Sequence, residues 1–234
     1  MSFNISIDPS IILLCLLAIT ASYFSRLNII PPNGEPHPSR LEELDIVNKL
    51  GVFHIIRLLA WVFPLIGLYH SFIAITYPSA PLCPHPQNLS PSLFTWSLYP
   101  LTILTLLILL VSFRMKAYTD LGPNFTFQLV APKELVTRGI YKYVQHPSYP
   151  TGVGALICSI LIWLHPNGVL GCFLPEAIAN STVLPKVFWA LFGLLAVSSM
   201  PKRVREEEAM LKREFGMQWV EYNKRTPRFI PFLL

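Results

Sequence analysis

The chain has 234 residues, 53% hydrophobic against 13% charged, with a mean hydropathy of +0.49. That charged fraction is about half of a soluble domain's, which excludes an ordinary water-soluble fold, and the high apolar content excludes disorder. The net charge of +5 comes from Lys and Arg in three separate stretches. They form no recognition helix and no basic and aromatic interleaving, so they are assigned to anionic headgroups and not to nucleic acid.

A hydrocarbon core about 30 Å thick takes about 20 mostly apolar helical residues. Five segments approach that length, at about 10–27, 50–77, 94–113, 150–164 and 183–200. No small-residue cleavage site follows the first, which is therefore a membrane helix and not a signal peptide. The predicted fold is an all-α polytopic membrane bundle of about five helices. The stretch ahead of the first helix and the loops 78–92 and 165–182 hold no Lys or Arg. Arg26, Arg40 and Lys49 lie between the first two helices; Arg114, Lys116, Lys133, Arg138 and Lys142 follow the third; further cations from Lys202 to Arg228 fill the tail. Because cytoplasmic loops carry the excess of Lys and Arg, the N-terminus is predicted lumenal and the C-terminus cytosolic. The sequons at Asn88 and Asn180 then fall in lumenal loops. Cys15 and Cys158 lie within apolar runs, as small buried hydrophobes do. Cys83 and Cys172 fall in two lumenal loops and are either free or joined, and no cysteine has metal-ligand spacing.

The two long polar stretches, 114–148 and 201–234, share one membrane face and can meet over the bundle, so a site is expected there. The tail from Lys202 to Tyr222 has helical periodicity, with Val204, Leu211, Phe215, Trp219 and Tyr222 on one stripe. Glu206 points away from the stripe, Glu207 lies at its edge and Glu208 within it. A carboxylate on an apolar stripe is expensive unless paired, and Arg203, one turn before Glu207, is within reach. The run is either a solvated charged face or a place where Glu207 and Glu208 hold a cation. Upstream, the run from Leu135 to Gly152 carries His146 and Pro147 where a polar loop enters lipid, with Gly152 and Gly154 admitting close approach to the backbone.

Together the two runs resemble a known family. The pattern L-V-x-x-G-x-Y-x-x-x-x-H-P-S-Y-x-x-G over Leu135 to Gly152 precedes a helical hairpin. Next come Arg203, Glu207, Glu208, Leu211, Phe215, Gly216 and Tyr222, and lastly Ile230-Pro231. This is similar to the isoprenylcysteine carboxyl methyltransferases and related membrane methyltransferases, as is the upstream pair Asn124-Phe125. One departure is Gln145, where the family usually has Arg immediately before His-Pro, so a cationic contact is absent there. The resemblance implies a division into N-terminal helices over 1–113 and a catalytic region over 114–234, comprising a cytosolic cofactor loop, a helical hairpin and an amphipathic C-terminal helix.

What the resemblance implies chemically is methyl transfer from S-adenosyl-L-methionine to the C-terminal prenylcysteine carboxylate of prenylated proteins, in the endoplasmic reticulum membrane. No G-x-G-x-x-G run offers the soluble way of holding that cofactor. Expected cofactor-binding residues are Leu135, Val136, Gly139, Tyr141, His146, Pro147, Tyr149, Gly152 and Glu208, with no metal. Glu207 and Glu208 suit the cofactor's sulfonium and ammonium charges. Arg203 is the first choice to orient the acceptor carboxylate and Arg57 the second. Arg57 stands roughly 10 Å inside the second helix, with His54 one turn before it, and otherwise snorkels to the interface. Alternative acceptors are a phospholipid amine, for which only His146 is available as base, or a small terpenoid acid. A less favoured alternative is an NADPH-dependent sterol-type membrane reductase, against which this chain has no carboxylate between Pro150 and Gly154. A channel lacks lining groups, with only Arg57 clearly inside the membrane.

Overall fold

The computed structural model describes residues 8–30, 52–125, 132–181 and 183–229, and these are helical with no strand among them. Helix α1, Pro9–Ile29, begins at Asp8, whose carboxylate accepts a 2.9 Å hydrogen bond from the Ser10 N–H, with proline at the first helical position. The predicted second segment is two helices, α2 (Val52–Leu59) and α3 (Val62–Thr76). The chain turns at Ala60-Trp61 between them. Residues 50 and 51, like Arg40, Lys49, Ile230 and Pro231, lie outside the described residues. Helix α4, Leu98–Leu121, runs eight residues past the predicted end of the third segment, through Arg114 and Asp120. The fourth segment is α5, Ser148–Trp163.

Three apolar stretches are long enough to cross a membrane, Pro9–Ile29, Arg57–Thr76 and Leu98–Asn124, and α5 is apolar but shorter. The expected separate tail helix is not observed. Helix α6 runs from Leu184 to Phe215, 32 residues, straight through Pro201. The helix stops instead at Gly216, where φ is +53°, and α7 follows over Met217–Arg225. A proline removes one hydrogen bond from a long helix without ending it, whereas the left-handed backbone at Gly216 caps it. At about 1.5 Å per residue α6 is roughly 48 Å long, well beyond a hydrocarbon core of about 30 Å.

Packing among α1, α3, α4 and α5 builds the core. Ala18, Ala21, Ser22 and Ser25 are all buried on α1. Small residues let membrane helices approach closely, and a Cβ added at Gly67 of α3 would collide with Ser22. Fully buried Trp163 donates its indole N–H to Ser25 Oγ at 2.9 Å, and that oxygen lies 3.1 Å from Ser159 Oγ. A polar group buried in hydrocarbon needs such a partner.

The bundle has two chemically distinct ends. At one end, Tyr99 at the start of α4 donates to the Leu161 carbonyl near the end of α5. Here the two cation-free loops are stitched together. Cys83 and Cys172 form a disulfide. Buried Asn88 donates to the Gly171 and Leu174 carbonyls at 3.0 Å each, and Asn167 donates to Asn88 O at 2.9 Å. Asn88 is thereby a structural amide, while Asn180 is exposed. At the opposite end, the guanidinium of Arg114 donates to the Ser148 carbonyl at the start of α5.

The disulfide closes a sequence separation of 89 residues, for which chain entropy gives about 4 kcal/mol or more. Thermal unfolding in detergent is expected to show a lower midpoint with reductant or in the Cys83→Ser, Cys172→Ser double variant. Alkylation of unreduced, denatured protein should label only Cys15 and Cys158, the two free thiols.

Candidate active site

The site grows from two segments at the charged end. The first is the loop between α4 and α5. Gly139, at φ +61°, turns the chain into a 3-10 turn over Gly139–Lys142, and Asp120 Oδ2 accepts a 2.9 Å hydrogen bond from the Ile140 N–H. A Cβ at Gly139 would collide with that carboxylate. The glycine therefore serves both the left-handed backbone and the close approach of Asp120. This contact ties the loop to the end of α4 and presents Tyr141, which is buried.

The second segment is the chain from α6 to Phe229, which folds back onto the first. The Gln145 N–H donates to Pro227 O at 2.9 Å and the His146 N–H to Arg228 O at 2.8 Å. Buried Gln145 adds its side-chain amide, donated to the carbonyls of Asn223 and Thr226. Tyr222 donates its hydroxyl to Tyr141 O at 2.6 Å. Burial pushes both the Tyr141 and Tyr222 hydroxyls well above the usual tyrosine range, and the nearby Glu207 charge adds to the effect at Tyr141. Both therefore remain hydrogen-bond donors at neutral pH.

His146 joins the two segments chemically. Its side chain is 2% exposed, with Nδ1 3.8 Å from Glu207 Oε1 and Nε2 3.4 Å from Glu208 Oε1. Tyr149, at the first turn of α5, donates its hydroxyl to Glu207 Oε2 at 2.7 Å. Arg228 grips Glu208 with two hydrogen bonds, Nε at 2.7 Å and Nη2 at 2.9 Å. The His146 ring beside it and then the Arg228 guanidinium hold the Glu208 carboxyl below the ordinary carboxylate range, against the opposing effect of burial. Conversely, Glu208 raises the Arg228 guanidinium.

Between the segments lies a cavity of about 200 Å³, larger than one that takes a benzene ring. Of the residues expected from the sequence, Leu135, Val136, Tyr141, His146, Tyr149, Arg203 and Glu207 line it. Gly139, Pro147, Gly152, Glu208 and Arg57 do not. Gly139 shapes the loop, and Gly152 makes room for Arg114, whose guanidinium a Cβ there would strike. Glu208, expected beside Glu207 on the ligand, is turned to Arg228 instead, because adjacent helical residues point about 100° apart. Arg57, on α2, is not brought to the cavity. The lining also includes residues outside the expected site set, among them Arg114, Tyr118, Asn124 and Trp219. Arg114 had a legible signal, an arginine directly after an apolar run on a helix that leads into the motif.

Comparison with known proteins agrees with the resemblance seen in the motifs. The model of the isoprenylcysteine carboxyl methyltransferase (ICMT) family matches residues 102–168, from the second turn of α4 through the loop and α5. Protein-S-isoprenylcysteine O-methyltransferase B of Arabidopsis thaliana is 34% identical over 134 residues, 56% of this chain and 58% of that one. The protein-S-isoprenylcysteine O-methyltransferase of Schizosaccharomyces pombe is 33% identical over 146 residues, 60% of this chain and 52% of that one. The Xenopus laevis protein of the same name is 28% identical over 130 residues, 51% of this chain and 36% of that one. The chain thus spans about half the length of the curated relatives it matches. No solved structure gives a significant match.

Two predictions follow from the loop and its clasp. Gly139→Ala forces a side chain into the left-handed region, at about 1–2 kcal/mol, and into Asp120, so thermal unfolding should show a lower midpoint than wild type. The Glu208 carboxyl has a folded-state pKa below its ordinary value of 4.5. Its contribution is therefore fully present above that value and is lost as pH falls through the folded-state pKa. Limited proteolysis of the C-terminal segment should accelerate over that acidic window in wild type, and Glu208→Gln should be susceptible already at neutral pH and insensitive to pH there.

Proposed function

We propose that this protein is an S-adenosyl-L-methionine-dependent methyltransferase that esterifies the C-terminal prenylcysteine carboxylate of prenylated proteins. The observation that carries this reading is the junction of the His146 loop with the acidic part of α6, which encloses a cavity bearing both an acid and guanidinium groups. The names of the relatives, and the family model that spans this loop, support the acceptor.

The lining fits the donor chemically. Glu207 offers a negative charge to a sulfonium or ammonium, and Tyr118, Tyr141, Tyr149 and Trp219 offer aromatic faces for a nucleobase and a cation. When bound, the donor would supply a methyl group on a positively charged sulfur, for which the acceptor's carboxylate oxygen would be the nucleophile. A terminal carboxylate, with an ordinary pKa of about 3.5, is already ionised at neutral pH, so the residues need not remove a proton. Their work is positioning and exclusion of water. Tyr149 fixes Glu207 by its hydrogen bond, His146 fills the space between the two carboxylates, and Arg203 supplies positive charge near Tyr149.

In the same reading the chain crosses the membrane five times, by α1, α2 with α3, α4, α5 and the first half of α6. The part up to residue 113 is the scaffold and the part from 114 the catalytic region. The disulfide between cation-free loops supports a lumenal position for that end. The cavity, at the opposite end with the basic loops, is then cytosolic, and the endoplasmic reticulum is the membrane that fits.

The test is methyl transfer from labelled S-adenosyl-L-methionine by protein in nanodiscs, with acetylfarnesylcysteine, phosphatidylethanolamine and a small terpenoid acid as competing acceptors. Label is expected on acetylfarnesylcysteine as an alkali-labile ester. Glu207→Gln, losing a charged hydrogen-bonding group, should reduce turnover roughly ten- to a hundredfold. Alkali-stable label on the phospholipid amine, or thermal protection by NADPH with no transfer to any acceptor, would overturn the reading.

A further inference from the structure

Arg26 lies in the last turn of α1, with its guanidinium carbon 4.1 Å from the centre of the Trp61 ring and 6.0 Å from that of Tyr23. The register of two antiparallel helices brings it there. Along α1 and α3, Cys15 meets Ser71, Ser22 meets Gly67, and Arg26 meets Trp61 at the turn between α2 and α3. Two residues beyond Arg26, Asn28 donates to the Gly152 carbonyl near the start of α5 at 3.4 Å, which fixes this corner at the cavity end of the bundle. The corner is nevertheless outside the cavity, which neither Arg26 nor Trp61 lines.

Stacking on an aromatic ring engages the face of a guanidinium and leaves its in-plane N–H donors for an anion. Arg26 is partly exposed, and its Nε is buried with no hydrogen-bond partner among the described residues. Arg57, four residues before Trp61 and in the last turn of α2, is partly exposed as well. Among the described residues no carboxylate pairs with either arginine, whereas Lys116, Arg138, Lys202 and Arg228 each pair with one. Away from the two cations, Leu16, Ile19 and Tyr23 on α1 and Trp61, Leu65 and Leu68 on α3 recur at helical-turn spacing and are all exposed. Apolar surface therefore runs from the arginines towards the middle of both helices. An anion at the interface with hydrocarbon beneath it is the layout of a phospholipid, and two arginines without an acid favour one whose headgroup carries net negative charge.

We propose that Arg26, stacked on Trp61, forms with Arg57 a binding site for one anionic phospholipid in the leaflet at the cavity end, with the phosphate on the guanidinium groups and the acyl chains along α1 and α3. The site is separate from the cavity, and the inference holds whichever acceptor the cavity takes.

The experiment measures, by native mass spectrometry of the full chain in neutral detergent at physiological ionic strength, the affinity for the first molecule of phosphatidylglycerol and of phosphatidylcholine with the same acyl chains. Each arginine at a membrane surface contributes about fivefold, so wild type is expected to prefer phosphatidylglycerol by about twentyfold. Arg26→Gln should lower the preference to about fivefold or less, and the Arg26→Gln, Arg57→Gln double variant should bring the two lipids within about twofold. Arg213→Gln, at an exposed cation on α6, should keep the wild-type preference. Trp61→Leu, which retains both charges and removes the stack, should also weaken it and serves if the arginine variants do not fold. Inorganic phosphate at matched ionic strength should leave the lipid bound. A preference unchanged in Arg26→Gln or Trp61→Leu, one lost equally in Arg213→Gln, or displacement of the lipid by inorganic phosphate overturns the proposal.

Discussion

Ionised groups are far costlier in hydrocarbon than in water, and that constraint arranges this protein. The apolar faces of α1, α3, α4 and α5 meet through small residues and a few satisfied polar contacts, such as the Trp163 to Ser25 hydrogen bond. The charged residues that line the cavity gather at one end of the bundle. Helix α4 extends past its apolar run to carry Arg114 and Asp120 there, and α6 extends past Pro201 to carry Arg203, Glu207 and Glu208. Both continue as helices because the backbone ladder, short of one donor at Pro201 of α6, keeps the other amides satisfied.

At that end the structure depends on a clasp between the loop ahead of α5 and the C-terminal segment. Two backbone hydrogen bonds, the Gln145 amide and the Arg228 to Glu208 pair close it. The clasp divides labour between adjacent carboxylates. Glu208 holds the segment down, and Glu207 is left facing the cavity, oriented by Tyr149. Gln145, where the resembling family usually has arginine, has a role of its own as an amide that fastens the two segments. Because it contributes no charge, the cationic character of the cavity comes from Arg114 and Arg203.

The remote end supplies rigidity. The disulfide, Asn88 and Asn167 bind the two cation-free loops into one cap. Since α4 and α5 run from this cap to the cavity, fixing their far ends limits how the cavity walls can move apart.

Much of the architecture is legible in the sequence because lipid enforces a simple code. Long apolar runs locate α1, α3, α4 and α5, and the motif from Leu135 to Gly152 with the acids of α6 locates the site. The end of each helix is less legible. The apolar segment to 200 and the periodic tail from Lys202 are one helix through Pro201, whereas Gly216 ends it, because a continuing hydrogen-bond ladder outweighs one missing donor while a left-handed residue cannot be accommodated within it. The roles of Glu207 and Glu208, the use of Gly152 as space for Arg114, and the arrival of Arg114 itself at the cavity depend on contacts between residues twenty or more positions apart. Local periodicity assigns a residue to a face of its own helix. Only the packing of one segment on another decides what that face meets.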